Sequence, residues 1–87
     1  MFINKNNETG TINLQGVGIE NGITRIKGGT VNVNGTFTQN ELIVSNANFN
    51  AEKNVIVDLL GLDNAVVTIQ GITTSKQINV SSNSKLT

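Results

Sequence analysis

Residues 28–40 read Gly28-Gly29-Thr30-Val31-Asn32-Val33-Asn34-Gly35-Thr36-Phe37-Thr38-Gln39-Asn40, and how the chain turns at Asn34-Gly35 decides the fold. Val31 and Val33 alternate with Thr30 and Asn32, the period of two that marks a strand with one buried face. Asn-Gly is the strongest short-range hairpin signal, because both residues tolerate the positive φ of a type I′ turn. With Asn34-Gly35 at the tip, Val33 faces Thr36 and Val31 faces Thr38, but Phe37 lands opposite Asn32 on the other face. Either both faces of this hairpin are partly covered, or Asn34-Gly35 is a corner in a different architecture.

A second pair, Asn21-Gly22, sorts more cleanly: Glu20 pairs Ile23, Ile19 pairs Thr24 and Val17 pairs Ile26. One face then carries Val17, Ile19, Thr24 and Ile26, and the other Glu20, Arg25 and Lys27 with Ile23. Further period-two pairs occur at Ile12 and Leu14, Val55 and Val57, Val67 and Ile69, and Ile78 and Val80. Turn signals separate them at Glu8-Thr9-Gly10, Gly28-Gly29, Asn46 to Asn54, Gly61 to Asn64 and Thr73 to Lys76, at roughly 8 to 12 residue intervals as in a sandwich or barrel. No segment reads as a linker. The expectation is one all-β domain over residues 1–87, a small antiparallel sandwich or barrel of short strands.

Composition supports the all-β reading. The chain has 87 residues with 37% hydrophobic, 14% charged and zero formal net charge. Disordered chains couple low hydrophobicity to high net charge, whereas here Ile and Val are abundant, so the chain folds. β-Branched Val, Ile and Thr suit a pleated surface and lose χ1 freedom in a helix. Val55-Ile56-Val57-Asp58-Leu59-Leu60 is apolar on both faces apart from Asp58, which marks a strand buried on two sides or covered by another subunit. Ala51-Glu52-Lys53 could open a competing helix, but three consecutive β-branched residues at Val55 to Val57 oppose it.

A parallel β-solenoid would use the same ingredients: short strands, Gly and Asn at corners, Thr and Asn outside, Ile and Val stacked within. Gly28-Gly29-Thr30-Val31, Phe37-Thr38-Gln39-Asn40 and Phe49-Asn50, within residues 28–54, resemble repeats in passenger domains of bacterial autotransporter adhesins. In the chlamydial polymorphic membrane proteins a Gly-Gly-Ala-hydrophobic element precedes Phe-x-x-Asn. Here Thr30 stands in place of the Ala, and Phe37 to Asn40 is the full match. The resemblance implies a right-handed solenoid with an adhesive surface role and no catalytic residues to carry over. No strict repeat of about 20 to 25 residues appears when the sequence is slid on itself, so the antiparallel fold stands first and the solenoid is the alternative.

Function is approached by elimination. The chain contains no His, Cys, Trp, Tyr or Pro, which removes the usual metal ligands, nucleophilic thiols and general bases near neutral pH. Asp58, Asp63, Glu41 and Glu52 are the candidate carboxylates, but nothing in their spacing places two across a cleft. Asp58 reads instead as a strand-edge or partner-facing residue, and Asp63-Asn64 as a turn. No EF-hand pattern surrounds Asp63, and Gly16-Val17-Gly18 is not a dinucleotide fingerprint, because no helix opens after it. Arg25, Lys27 and Lys5 lack stacking aromatics, since Phe2, Phe37 and Phe49 are claimed by the core. The reading is no enzyme, no cofactor or metal, no nucleic acid, no small-molecule substrate and no membrane insertion.

What remains is a structural protein that works by assembly with itself or with another protein through aliphatic strands. A stable protein monomer that binds one partner, such as an adhesin fragment or small inhibitor, is the alternative. The candidate contact residues are the apolar positions in excess of a small core: Phe2, Val55, Ile56, Val57, Leu59, Leu60, Ile69 and Ile72. The first residues lack the apolar run of a signal peptide. That fits cytoplasmic synthesis followed by incorporation into a phage virion, or surface exposure after removal of a leader.

Overall fold

The computed structural model describes residues 2–3, 10–14, 17–18, 22–81 and 83–87. In chain order the strands are β1 (Phe2–Ile3), β2 (Thr11–Leu14), β3 (Val17–Gly18), β4 (Ile23–Ile26), β5 (Thr30–Val33), β6 (Phe37–Ser45), β7 (Asn48–Ala51), β8 (Val55–Asp63), β9 (Val66–Ile69), β10 (Thr73–Ser81) and β11 (Lys85–Leu86). One sheet runs β1-β4-β6-β8-β10, with β3 also on β6, and the other runs β11-β9-β7-β5-β2. Every pairing among the described residues is parallel. The chain is a parallel β-solenoid of about four turns.

Equivalent positions lie 18 or 19 residues apart through most of the coil, as the side-chain pairs Asn32–Asn50, Asn46–Asn64 and Asn13–Asn32 illustrate. Inward positions stack into columns: Ile12, Val31, Phe49, Val67 and Leu86 form one, and Leu14, Val33, Ala51 and Ile69 another. The long strands bend. In β6 the buried positions are Phe37 and Gln39, then Leu42 and Val44, so the alternation slips at Asn40-Glu41. β8 slips at the same place, Asp58-Leu59. The second sheet is the first wall of the coil, and the two halves of the long strands are the second and third walls. Phe37 and Phe49 meet edge to face inside, with ring centroids 5.4 Å apart, a contact worth about 0.5–1.5 kcal/mol beyond its burial.

These facts correct the antiparallel expectation. Val33 pairs Leu14 and Ala51, and Phe37 pairs Val17 and Val55, so Asn34-Gly35 is a corner between walls and not a hairpin tip. The physical reason is the residue the hairpin failed to place: in the coil Phe37 is fully buried, while Asn32 faces out and stacks on other asparagines. The register built on Asn21-Gly22 also fails, since Val17 pairs Phe37 and Ile26 pairs Ile3 and Val44. Asn21 itself lies outside the described residues. A Cβ on Gly22 would stand 2.6 Å from Oε1 of Gln39, so any larger residue there would have to displace the glutamine amide. Three expected turns are partly or wholly strand: β7 takes up Asn48–Ala51 within Asn46–Asn54, β8 runs on through Asp63 and leaves Asn64 as the corner, and β10 begins at Thr73. Of their polar residues, Asn48, Asn50, Asp63, Thr74 and Lys76 take outward positions, whereas Thr73 and Ser75 stand over Val55 and Val57 in core columns.

The third corner, which leads from the third wall back to the first, uses Asn46, Asn64 and Asn83 at φ 52, 51 and 59, the left-handed region that Asn tolerates better than most residues. At the corner leading from the first wall to the second, Gly71 packs so closely on the previous turn that a Cβ would overlap the Lys53 carbonyl group. A Cβ on Gly61 would meet only the tip of Ile43, Cδ1, at 3.0 Å. Gly71→Ala is therefore expected to destabilise the protein by about 1–3 kcal/mol, while Gly61→Ala stays within about 0.5 kcal/mol. Urea midpoints of the two variants check the difference.

Candidate interaction surfaces

The outer face of the first wall is built mainly from neutral polar side chains, with Val66 and Lys85 as the exceptions at its last two strands. Because β2, β5, β7 and β9 stack in register, Asn13, Asn32, Asn50 and Thr68 form one rank, and Thr11, Thr30, Asn48 and Val66 another. Nδ2 of Asn32 donates to Oδ1 of Asn13 at 3.0 Å, and Nδ2 of Asn50 donates to Oδ1 of Asn32 at 3.0 Å. A shorter ladder continues at the third corner, where Nδ2 of Asn64 donates to Oδ1 of Asn46 at 2.8 Å. Two shallow grooves flank the wall, of about 460 Å³ beside Thr30, Asn48 and Asn64 and about 360 Å³ beside Asn32, Glu52 and Gln70.

The carboxylates are dispersed. Asp58 sits at the bend of β8 and stands 3.9 Å from Nζ of Lys76, both well exposed, so the pair contributes little. Asp63 ends β8 beside the corner residue Asn64. Among the described residues no group of three or more His, Cys, Asp or Glu is placed to hold a metal ion. Among the described residues no helix is long and apolar enough to cross a membrane.

The apolar candidates divide by direction. Val55, Val57 and Leu60 point inward and are buried in the core, and Ile69 packs against that core. Ile56, at 41% exposure, and Ile72, at 69%, are open to solvent, and Leu59 is partly exposed on the outer side of β8. Phe2 lies in β1, paired with Arg25. The two-sided apolar character of Val55–Leu60 thus comes from one inward rank and one outward rank of the same strand.

Residues outside the candidate contacts form the open end of the coil. β10 offers nine residues of edge, paired on one side only, to β8. Ile78 stacks on Leu60 and Leu42, and Val80 on Leu62 and Val44. Those four residues are at most 2% exposed, yet Ile78 and Val80 are 45% and 49% exposed. They occupy core columns with nothing above them among the described residues.

No family model, curated protein or solved structure matches the chain. The surfaces are therefore read from their own chemistry. The alternation Thr73 to Ser81 did carry a signal for the open end, since Ile78 and Val80 are spaced as a strand's buried face, but only the coil register shows that they fall on its last turn. For the ladder, Asn32 both gives and receives an amide hydrogen bond, whereas Asn50 makes one. Asn32→Ala is expected to cost about 1–2 kcal/mol and Asn50→Ala about half as much, read as shifts in denaturation midpoint.

Proposed function

We propose that the protein is a non-enzymatic structural module that works by assembly, adding β-structure of its own kind or of a larger protein to the open end of its coil. The observation that carries this reading is the contrast within two columns: Leu42, Leu60, Val44 and Leu62 are buried, and their successors Ile78 and Val80 are half exposed. An edge strand with free N–H and C=O groups is a template for pairing with another chain. Soluble proteins usually blunt such edges with charge, Pro or a covering loop. Here the stretch from Gln77 to Ser81 carries no charge and no Pro, and covering Ile78 and Val80 would contribute about 1 kcal/mol each.

The zero net charge supports the same reading, because copies meet without long-range repulsion. The coil is also the architecture that the resemblance to adhesin passenger repeats implies. A place in a phage virion or on a bacterial surface is consistent with a rigid, stackable unit of this kind and forms part of the proposal.

Lysine at both inward positions, Ile78→Lys with Val80→Lys, places two ammonium groups where an incoming strand would have to bury them. The double variant is expected to keep its far-ultraviolet circular dichroism and lose association. Sedimentation velocity at micromolar concentration checks it: a parent protein that stays monomeric there, with and without candidate β-partners, would sink the reading.

A further inference from the structure

We infer that the open end is closed by a second copy of this chain set tail to tail, the two β10 strands running antiparallel about a two-fold axis through Asn79. The inference rests on the assembly reading above and adds the partner and its geometry. Within β10 the third-wall stretch Gln77–Ser81 is centred on Asn79, with Ile78 and Val80 in core columns on either side. Rotation about that axis sets Ile78 of one copy against Val80 of the other, Gln77 against Ser81, and Asn79 against its own equivalent. Inward residues meet inward residues.

Two neighbouring placements of the axis fail this match. Moving it half a residue sets inward against outward along the whole edge, as any one-residue register slip does. Moving it one residue toward the bend sets Val80 against Lys76, an exposed ammonium.

The spiral form of the coil points the same way. On the first wall the last strand is β11, one strand beyond β9, whereas the second wall stops with Thr73–Ser75 of β10. The end is therefore a step, high on the first wall and low on the second. A two-fold axis through the third wall exchanges the other two walls, so the high side of each copy meets the low side of the other. The separation is then one strand spacing, about 4.8 Å, on all three walls.

Head-to-tail stacking would set the nine residues of β10 toward an end whose described sheet edge is β1, two residues long beyond β4. The protein measures 25 × 24 × 23 Å, so an end face covers at most about 600 Å² on each copy, which puts the pair at the small end of specific interfaces. Such an interface is isologous and closed, which limits assembly to the dimer.

Cysteine placed on the axis provides the test, since the chain contains none of its own. Antiparallel neighbours across the axis have Cα atoms about 4.5–5.5 Å apart, within disulfide range. Asn79→Cys under mild oxidation is expected to convert most of the protein to a covalent dimer that sediments as a dimer and nothing larger. Thr74→Cys, whose wall meets a different wall of the other copy, is expected to cross-link poorly with itself. As a second arm, separately purified Gln77→Cys and Ser81→Cys proteins should cross-link with one another more than either does with itself. Oligomers that grow with concentration beyond the dimer, or a dimer without these cross-links, would overturn the tail-to-tail geometry and leave the assembly reading standing. A parent protein that is monomeric at micromolar concentration but binds another β-protein would do the same, whereas one that binds nothing removes both.

Discussion

Parallel stacking at about 4.8 Å sets each side chain directly over the residue one turn earlier, and the rest of the structure follows from that constraint. Every position is shared by a column, so a residue is chosen for what lies above and below it as much as for its own wall. Aliphatic columns fill the interior, asparagines stack outside, and corners repeat Asn at positive φ. Each turn touches only its neighbours, as in other repeat architectures. The stability of such a chain is a sum over interfaces between turns, and an end turn has only one such interface.

Strand content was readable from the sequence because alternation is local. Ile12 and Leu14, Val31 and Val33, Val67 and Ile69, and Ile78 and Val80 all fall in strands with the expected faces. The partner of each strand was not readable, because Asn-Gly serves equally as a hairpin tip or a coil corner and nothing nearby tells them apart. The repeat was hidden for a related reason. Its spacing is 18 or 19 residues, shorter than the periods sought, and a column preserves only bulk and polarity: Val31 gives way to Phe49 and then Val67. A more durable trace is Ser45-Asn46-Ala47 against Asp63-Asn64-Ala65, where the backbone demands the same chemistry twice.

The candidate surfaces were legible in part. Asp58 and Ile56 occupy the outward side of β8, as a strand with two apolar faces allows. Its inward rank, Val55, Val57 and Leu60, belongs to the core, because a narrow coil surrounds its interior on all sides and uses more aliphatic residues than a small open sheet would. The end of the coil was invisible without register, since exposure there depends on which turn is last and not on local composition.

One polar contact within the interior has a consequence for how the chain finds its register. Thr24 is fully buried and its hydroxyl donates to Oε1 of Gln39 at 2.9 Å, while Nε2 of Gln39 donates to the Thr38 carbonyl at 3.0 Å. Aliphatic columns are nearly interchangeable, so a coil lined only by Val, Leu and Ile could slip by a whole turn at small cost. The equivalents of Gln39 in the next turns are Val57 and Ser75. A slipped coil would strand the glutamine amide away from its threonine, at a cost of about 1–3 kcal/mol. Thr24 and Gln39 thus act as a keyed joint between the first two turns, giving a repetitive chain a single correct alignment.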